Sequence, residues 1–367
     1  MIEERYLKSE EKAIYKLRTL YGRYGYLPFK MSKFEEYDLY VKNKDFLVSD
    51  SVITFNDTNG KLLALKPDVT LSIIKNGQDE KGAKQKVYYS ENVYRVSGNT
   101  REFKEIMQAG VECIGDIDLY DVFEIVSLAC GSLEMISDDY VVEISHLGIL
   151  SALIDMASCD EGFKAVIMEC IKQKNTHGIE SACLNYSIDK EKAELLSGLV
   201  SSYGSLDTVI ERLSKIKASE AYNNALNELS ALASMLSKTP YKDKIKIDFS
   251  IVNDMNYYNG IVFNGFINGI CETVLFGGRY DKLLSKMGRR SAGIGFAVYV
   301  DLLEGLDNTQ RGYDVDVLLL YSDDTSKEML SKIVDTYIKE GKSVSAQKAI
   351  PTRLRYKELI EITGEVK

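Results

Sequence analysis

Two runs with a two-residue period stand at the centre of the chain. VYYSENVYR (87–95) and QAGVECIG (108–115) are rich in β-branched and aromatic residues, and the turn signals Ser97, Gly98 and Asn99 lie between them. This pattern predicts an antiparallel hairpin. Alternate side chains of a strand share a face, so Arg95 can stand beside Gln108 and Glu112, with Glu91 able to join them. A cation, an amide and acids converging on a sheet floor suit a zwitterionic or phosphorylated small molecule. The same charges on a solvated hairpin are the simpler reading of this stretch alone.

Upstream, Tyr6, Ala13, Ile14, Leu17, Leu20 and Tyr21 recur at helical spacing, which predicts a helix over 3–24 ending at Gly25. FLVSDSVITFND and KLLALKP read as strands joined by Thr58-Asn59-Gly60. Pro67 stops the ladder, and Asp68 and Thr70 are placed to cap the helix LSIIKN that follows. A carboxylate at the end of a sheet could equally hold an ammonium group.

Downstream, a helix is predicted over 118–137 and a strand over 140–145, closed by His146. From His146 to about Lys238 the pattern is almost wholly helical and contains no proline, which marks an insert. Strands return at 245–252, 260–267, 272–278 and 292–299, with helices predicted after Tyr280 and over 300–306. DNTQR (307–311) reads as a linker. The tail, 312–367, has a β-α-β pattern and looks small for a closed domain. The predicted fold class is α+β: an antiparallel sheet core over 1–306 with a helical insert at about 146–238, then the small α/β tail.

The 367 residues are 45% hydrophobic and 28% charged, a globular composition. A net charge of −9 argues against a large phosphate-binding surface. None of the six cysteines forms a C-x-x-C pair, which excludes a zinc ribbon or redox dithiol and fits a reducing cytosol. No signal-peptide core or membrane-length apolar run is present, so a cytoplasmic chain is expected. His146 and His177 are far apart in sequence and read as structural. GGRYD lacks the Lys-Ser/Thr of a phosphate loop, and EITGEV is too poor in acids to bind phosphoribosyl pyrophosphate.

The ordered set KPDVT, VYR…QAGVE, NDMNYYNGIVF, FGGRYDKL and GIGFA closely resembles the catalytic core of histidine–tRNA ligase, a class II aminoacyl-tRNA synthetase. The resemblance covers about residues 10–306, and the tail resembles a shortened anticodon-binding domain. It implies a histidine pocket in which Asp68, Thr70 and Gln108 meet the α-amino group. Glu112 and Tyr258 would face the imidazole, Arg95 would hold the carboxylate, and Tyr257 and Gly277-Gly278 would line the wall.

The chain departs from that family where phosphate chemistry is done. Asn253 replaces a catalytic arginine, Asp301-Leu302 replace a Glu-Arg pair, Ser32 replaces a proline, and Lys104, not an arginine, lies four residues before Gln108. Adenylate formation needs cations where charge develops, and losing one typically costs about two to three decades in rate. This pattern resembles the regulatory subunits of ATP phosphoribosyltransferase, which work with a short catalytic subunit in histidine biosynthesis. The resemblance implies a non-catalytic, histidine-binding homodimer within a hetero-oligomer, with no cofactor, no metal, no tRNA and no membrane partner. An active or degenerate ligase and a stand-alone histidine sensor stay open as alternatives.

Overall fold

The computed structural model describes residues 7–44, 52–97, 100–252, 257–306 and 312–362. The chain divides into two compact units, residues 1–306 and 307–367. The first part (46–51) of the predicted strand FLVSDSVITFND, the turn residues Gly98 and Asn99, Asn253, the linker 307–311 and the end of EITGEV lie outside the described residues. No helix among the described residues is long and apolar enough to cross a membrane.

In the larger unit, α1 (Ser9–Arg23) buries Ala13, Leu17 and Tyr21 at four-residue spacing. After it come β1 (Leu27–Pro28), β2 (Phe34–Glu36), α2 (Tyr37–Lys42), β3 (Thr54–Asn56) and β4 (Leu62–Leu65). β2, β4 and β3 form a separate three-stranded antiparallel sheet. β2 and α2 carry too short a pattern for periodicity to find. α3 (Thr70–Asn76) follows, then the long hairpin of β5 (Lys84–Val96) and β6 (Phe103–Gly115).

Helix α4 (Leu119–Glu134) starts where the Asp118 carboxylate accepts the backbone N–H groups of Tyr120 and Asp121. β7 (Tyr140–His146) leads into six helices: α5 (Leu147–Ala157), α6 (Glu161–Lys172), α7 (Thr176–Asn185), α8 (Lys190–Val200), α9 (Leu206–Leu213) and α10 (Glu220–Leu236). Each begins with a capping side chain that accepts a first-turn N–H, from His146, Asp160, Asn175, Asp189, Ser205 and Ser219 in turn. His146 is therefore structural: its Nδ1 accepts the Gly148 N–H at 3.1 Å and its Nε2 lies 3.4 Å from Glu228. A two-residue strand, β8 (Gly204–Ser205), interrupts the helices.

The sheet resumes with β9 (Ile245–Ile247), β10 (Ile261–Ile267) and β11 (Leu275–Arg279), then α11 (Asp281–Lys286) and β12 (Ala292–Tyr299). β9 ends at Ile247, short of the predicted 252. Residues Val300–Leu306 form a 3-10 rather than an α-helix. The large sheet has nine strands in the order β1-β5-β6-β12-β11-β10-β7-β9-β8. Its neighbours run antiparallel, except that β1 pairs parallel with β5 and β7 with β9.

The two faces of this sheet differ. Odd positions of β6 (Ala109, Val111, Cys113) join Phe263, Phe296 and the helices in the main core. Even positions turn to a smaller core that includes Val87, Tyr89, Ile114, Leu71 and Tyr280. Polar side chains concentrate on that second face. The smaller unit contains β13 (Val315–Tyr321), α12 (Lys327–Lys339), β14 (Val344–Gln347) and β15 (Tyr356–Ile362), with β13 central in a parallel sheet.

Phe263 is fully buried in the main core, and a Cβ at Gly277 would lie 2.4 Å from its ring. Phe263→Ala should therefore cost about 3–5 kcal/mol of stability, read as a lowered urea midpoint at constant m-value.

Candidate functional site

The KPDVT segment turns the chain from a strand into a helix beneath the hairpin. Asp68 Oδ1 accepts the Leu71 N–H at 2.9 Å, so the carboxylate does cap the start of α3. Thr70 does not cap. Its hydroxyl donates to Glu112 Oε1 at 2.7 Å. Lys66 is fully buried and donates to Glu91 Oε2 at 2.7 Å, which ties the same segment to the hairpin floor.

Register explains the floor. Glu91 pairs with Gln108, Val87 with Glu112 and Arg95 with Lys104, and directly paired residues share a face. Arg95, Glu91, Gln108 and Glu112 therefore stand together, as the two-residue period predicts. Next door, β12 places Gly295 beside Glu112 and Tyr299 beside Gln108. Arg95 Nε donates to the Pro67 carbonyl at 3.0 Å and Nη1 to the Tyr299 hydroxyl at 2.9 Å. The guanidinium is thus oriented on two sides before any ligand arrives. Lys104, its partner across the hairpin, is exposed.

Glu112 is almost wholly enclosed, at 2% exposure. Besides Thr70, the Tyr280 hydroxyl donates to its Oε2 at 2.5 Å. A Cβ at position 295 would lie 2.0 Å from that oxygen, so only glycine lets the carboxylate lie flat on the sheet. Burial pushes the Glu112 carboxyl up to about 8; the two hydroxyl donors oppose that shift and the Asp68 charge adds to it. Burial also raises Asp68, against the pull of the Leu71 N–H and Arg95. Two neighbouring acids held in this way are stabilised by a cation placed between them.

Tyr257 and Tyr258 close the site. Their adjacency in a strand would send them to opposite faces, but they lie outside any strand. Their rings sit 4.5 Å apart, and Tyr257 is 6.1 Å from Tyr280. Gly278 makes room for Tyr258, whose ring would be 2.7 Å from an added Cβ. Gly277 faces the opposite side, against Phe263 and Phe296, and lines no part of this pocket. The GGRYD turn is fixed by Asp281, which accepts from Arg279, Asn259 and the Gly293 N–H.

Asp301 is used by the backbone: both carboxylate oxygens accept the Met107 N–H, at 2.9 and 3.0 Å. Leu302, beside it, brings no charge. The site's other contributors, Lys66, Tyr280 and Tyr299, escape a reading by motif. Tyr280 lies within GGRYD and could have been found there. Tyr299 becomes visible only once the register of β12 on β6 is known.

A carboxyl with a raised pKa in the folded state holds a proton that the unfolded chain has already released. Its contribution to stability is present at low pH and is lost as pH rises from about 4.5 to about 8. Unfolding free energy should fall across that window by up to about 1.4 kcal/mol per pH unit, and Glu112→Gln should flatten the fall. Urea titrations at several pH values in this window check both.

A family model described as Histidyl-tRNA synthetase matches residues 2–303. A protein of Oceanobacillus iheyensis named ATP phosphoribosyltransferase regulatory subunit is 30% identical over 306 residues, covering 82% of this chain and 74% of that one. A Bacillus halodurans structure titled as an ATP phosphoribosyltransferase regulatory subunit/histidyl-tRNA synthetase superposes with a TM-score of 0.81 at 24% identity, covering 99% of this chain and 96% of that one. A Thermotoga maritima chain from a structure titled ATP phosphoribosyl transferase (HisG:HisZ) complex gives 0.63 at 18%, covering 82% and 97%. The chain belongs to the histidyl-tRNA synthetase family, alongside relatives named as regulatory subunits of ATP phosphoribosyltransferase.

Proposed function

We propose that this chain is a non-catalytic regulatory subunit of ATP phosphoribosyltransferase that binds histidine on the hairpin floor. The observation that carries the reading is the fate of two sets of residues. The amino-acid pocket keeps its buried acids, with Glu112 held by Thr70 and Tyr280. The phosphate-facing position holds Asp301, committed to the Met107 backbone, followed by Leu302. Such a site can bind an amino acid, and at 301–302 it has no cation for adenylate formation. The names of the relatives supply the enzyme that such a subunit would serve.

In this reading the histidine ammonium meets Asp68, Thr70 and Gln108. The imidazole is held between Glu112 and Tyr258, Arg95 takes the carboxylate, and Tyr257 forms the wall. The raised Glu112 pKa suits an imidazole, because one proton can be shared between two groups that both titrate near neutrality. Two copies would pair through residues 13–55. Phe34 and Phe55 there are 45% and 39% exposed and meet edge to face at 5.6 Å, an apolar patch that a second copy could cover. The smaller unit would be a shortened anticodon-binding domain with no tRNA to read.

Glu112→Ala and Asp68→Ala should each raise the Kd for histidine by roughly ten- to a hundredfold in calorimetry. Arg95→Lys should weaken binding too, since an ammonium cannot reproduce the guanidinium's two-sided support. Unchanged affinity in both acid variants would remove the pocket.

Titrating the chain into a short-form ATP phosphoribosyltransferase catalytic subunit should raise its rate, and histidine should lower it again. The chain alone should show no histidine-dependent pyrophosphate–ATP exchange. Robust exchange would favour an active ligase. Failure to activate or to co-elute, with histidine binding intact, would leave a stand-alone sensor.

A further inference from the structure

Tyr299, at the end of β12, stands beside Gln108 on the face that carries Arg95, and takes no part in the histidine contacts described above. It is half-buried, and its position is fixed from two directions. Its backbone N–H donates to the Val274 carbonyl at 2.8 Å, and its ring meets Phe276 edge to face at 5.3 Å. The hydroxyl reaches Arg95 and accepts from Nη1 at 2.9 Å.

Donors are left over at this corner of the floor. Arg95 Nε is spent on the Pro67 carbonyl, and one Nη1 proton on Tyr299. Nη2 donates to nothing among the described residues and is not closed off from solvent. A phenol oxygen accepts hydrogen bonds and also donates one. The Tyr299 oxygen already accepts from Arg95, and its own proton has no acceptor among the described residues. A cationic donor and a hydroxyl donor therefore stand side by side, each with a hydrogen bond still to make.

The chemistry that satisfies both is narrow. A carboxylate has two oxygens, accepts at each and donates nothing. An alcohol brings one oxygen and a proton of its own. A carboxamide brings one acceptor and turns N–H groups toward donors. Either leaves one of the two protein groups unmet, and an unmet polar group in an enclosed site is costly. Asp68 lies near enough to act electrostatically on Arg95, so the ammonium and carboxylate of one α-amino acid can span the pair.

We infer that Tyr299 makes the site select a free carboxylate: its hydroxyl donates to one carboxylate oxygen while Arg95 Nη2 donates to the other. Amino-acid derivatives in which that group is reduced to an alcohol or converted to an amide are rejected. The inference rests on the histidine reading above and adds to it the residue that separates histidine from its carboxyl-modified forms.

The test is calorimetry on the full chain with L-histidine, L-histidinol and L-histidinamide, for the parent and for Tyr299→Phe. The parent should bind histidine at least about tenfold tighter than either derivative. Tyr299→Phe keeps the ring against Phe276 and removes only the hydroxyl. It should weaken histidine about three- to tenfold and leave each derivative within about twofold, so that the preference falls. A parent that binds all three ligands equally would overturn the inference and leave the histidine pocket standing. A variant that keeps the parent's preference would do the same, and so would one that weakens all three ligands alike, which marks a packing role. A parent that binds no histidine would overturn the inference and the pocket together.

Discussion

The Glu112 carboxyl lies flat on the sheet, between the Thr70 hydroxyl on one side and the Tyr280 hydroxyl on the other, with no side chain at Gly295. Three separate parts of the chain meet at this one group: the start of α3, the turn after β11 and the middle of β12. The arrangement is costly, because burial opposes the charge that the two donors favour. A core built for stability alone would place an apolar residue there. A buried acid at such a position calls for a hydrogen-bonding or cationic partner, and the polar face of the sheet is organised about it.

The floor was legible in the sequence because a strand period of two is exact enough to put Arg95, Gln108 and Glu112 on one side without any knowledge of the rest. The helices of the insert were legible for a related reason, since each carries its own cap and apolar spacing. What escaped has physical causes. Tyr257 and Tyr258 pack ring against ring, tilted, because they lie in a turn, where strand alternation does not apply. Gly277 and Gly278 look equivalent as a pair, yet the pleat sends one to each face. β2 and α2 are too short to show a period, and β15, a parallel neighbour of β13, reads as an ordinary mixed run. Tyr299 meets Arg95 across 204 residues of sequence, a contact that only long-range register supplies.

Binding an amino acid and activating it are separable tasks. The first needs complementary groups for a ground state: acids, an amide, a guanidinium and aromatic walls. The second needs cations placed where charge develops on phosphate. In the proposed reading, Asp301 is where the second set would be lost while the first stays folded. Its carboxylate caps the Met107 N–H at the edge of β6, so the residue holds the strand that carries Gln108 and Glu112. Position 301 thus supports the floor.

How a ligand here could alter a partner follows from what the floor does not hold. The hairpin and β12 are continuous members of a nine-stranded sheet and leave little room to move. Helix α3 is seven residues long, with Asp68 and Thr70 at its start and the Ile74 carbonyl on Arg289 at its end. It is held to the rigid sheet by a few polar contacts at its two ends as well as by Leu71 and Ile73 packed beneath it. A ligand that bridges Asp68 and Glu112 adds a further tie at one end, and so restricts the position of α3 relative to the sheet. Its influence on any second conformation is limited to the difference in its affinity for the two. That difference can arise only where the bridged groups shift relative to one another, and Glu112 on β6 and Asp68 at the head of α3 belong to separate elements.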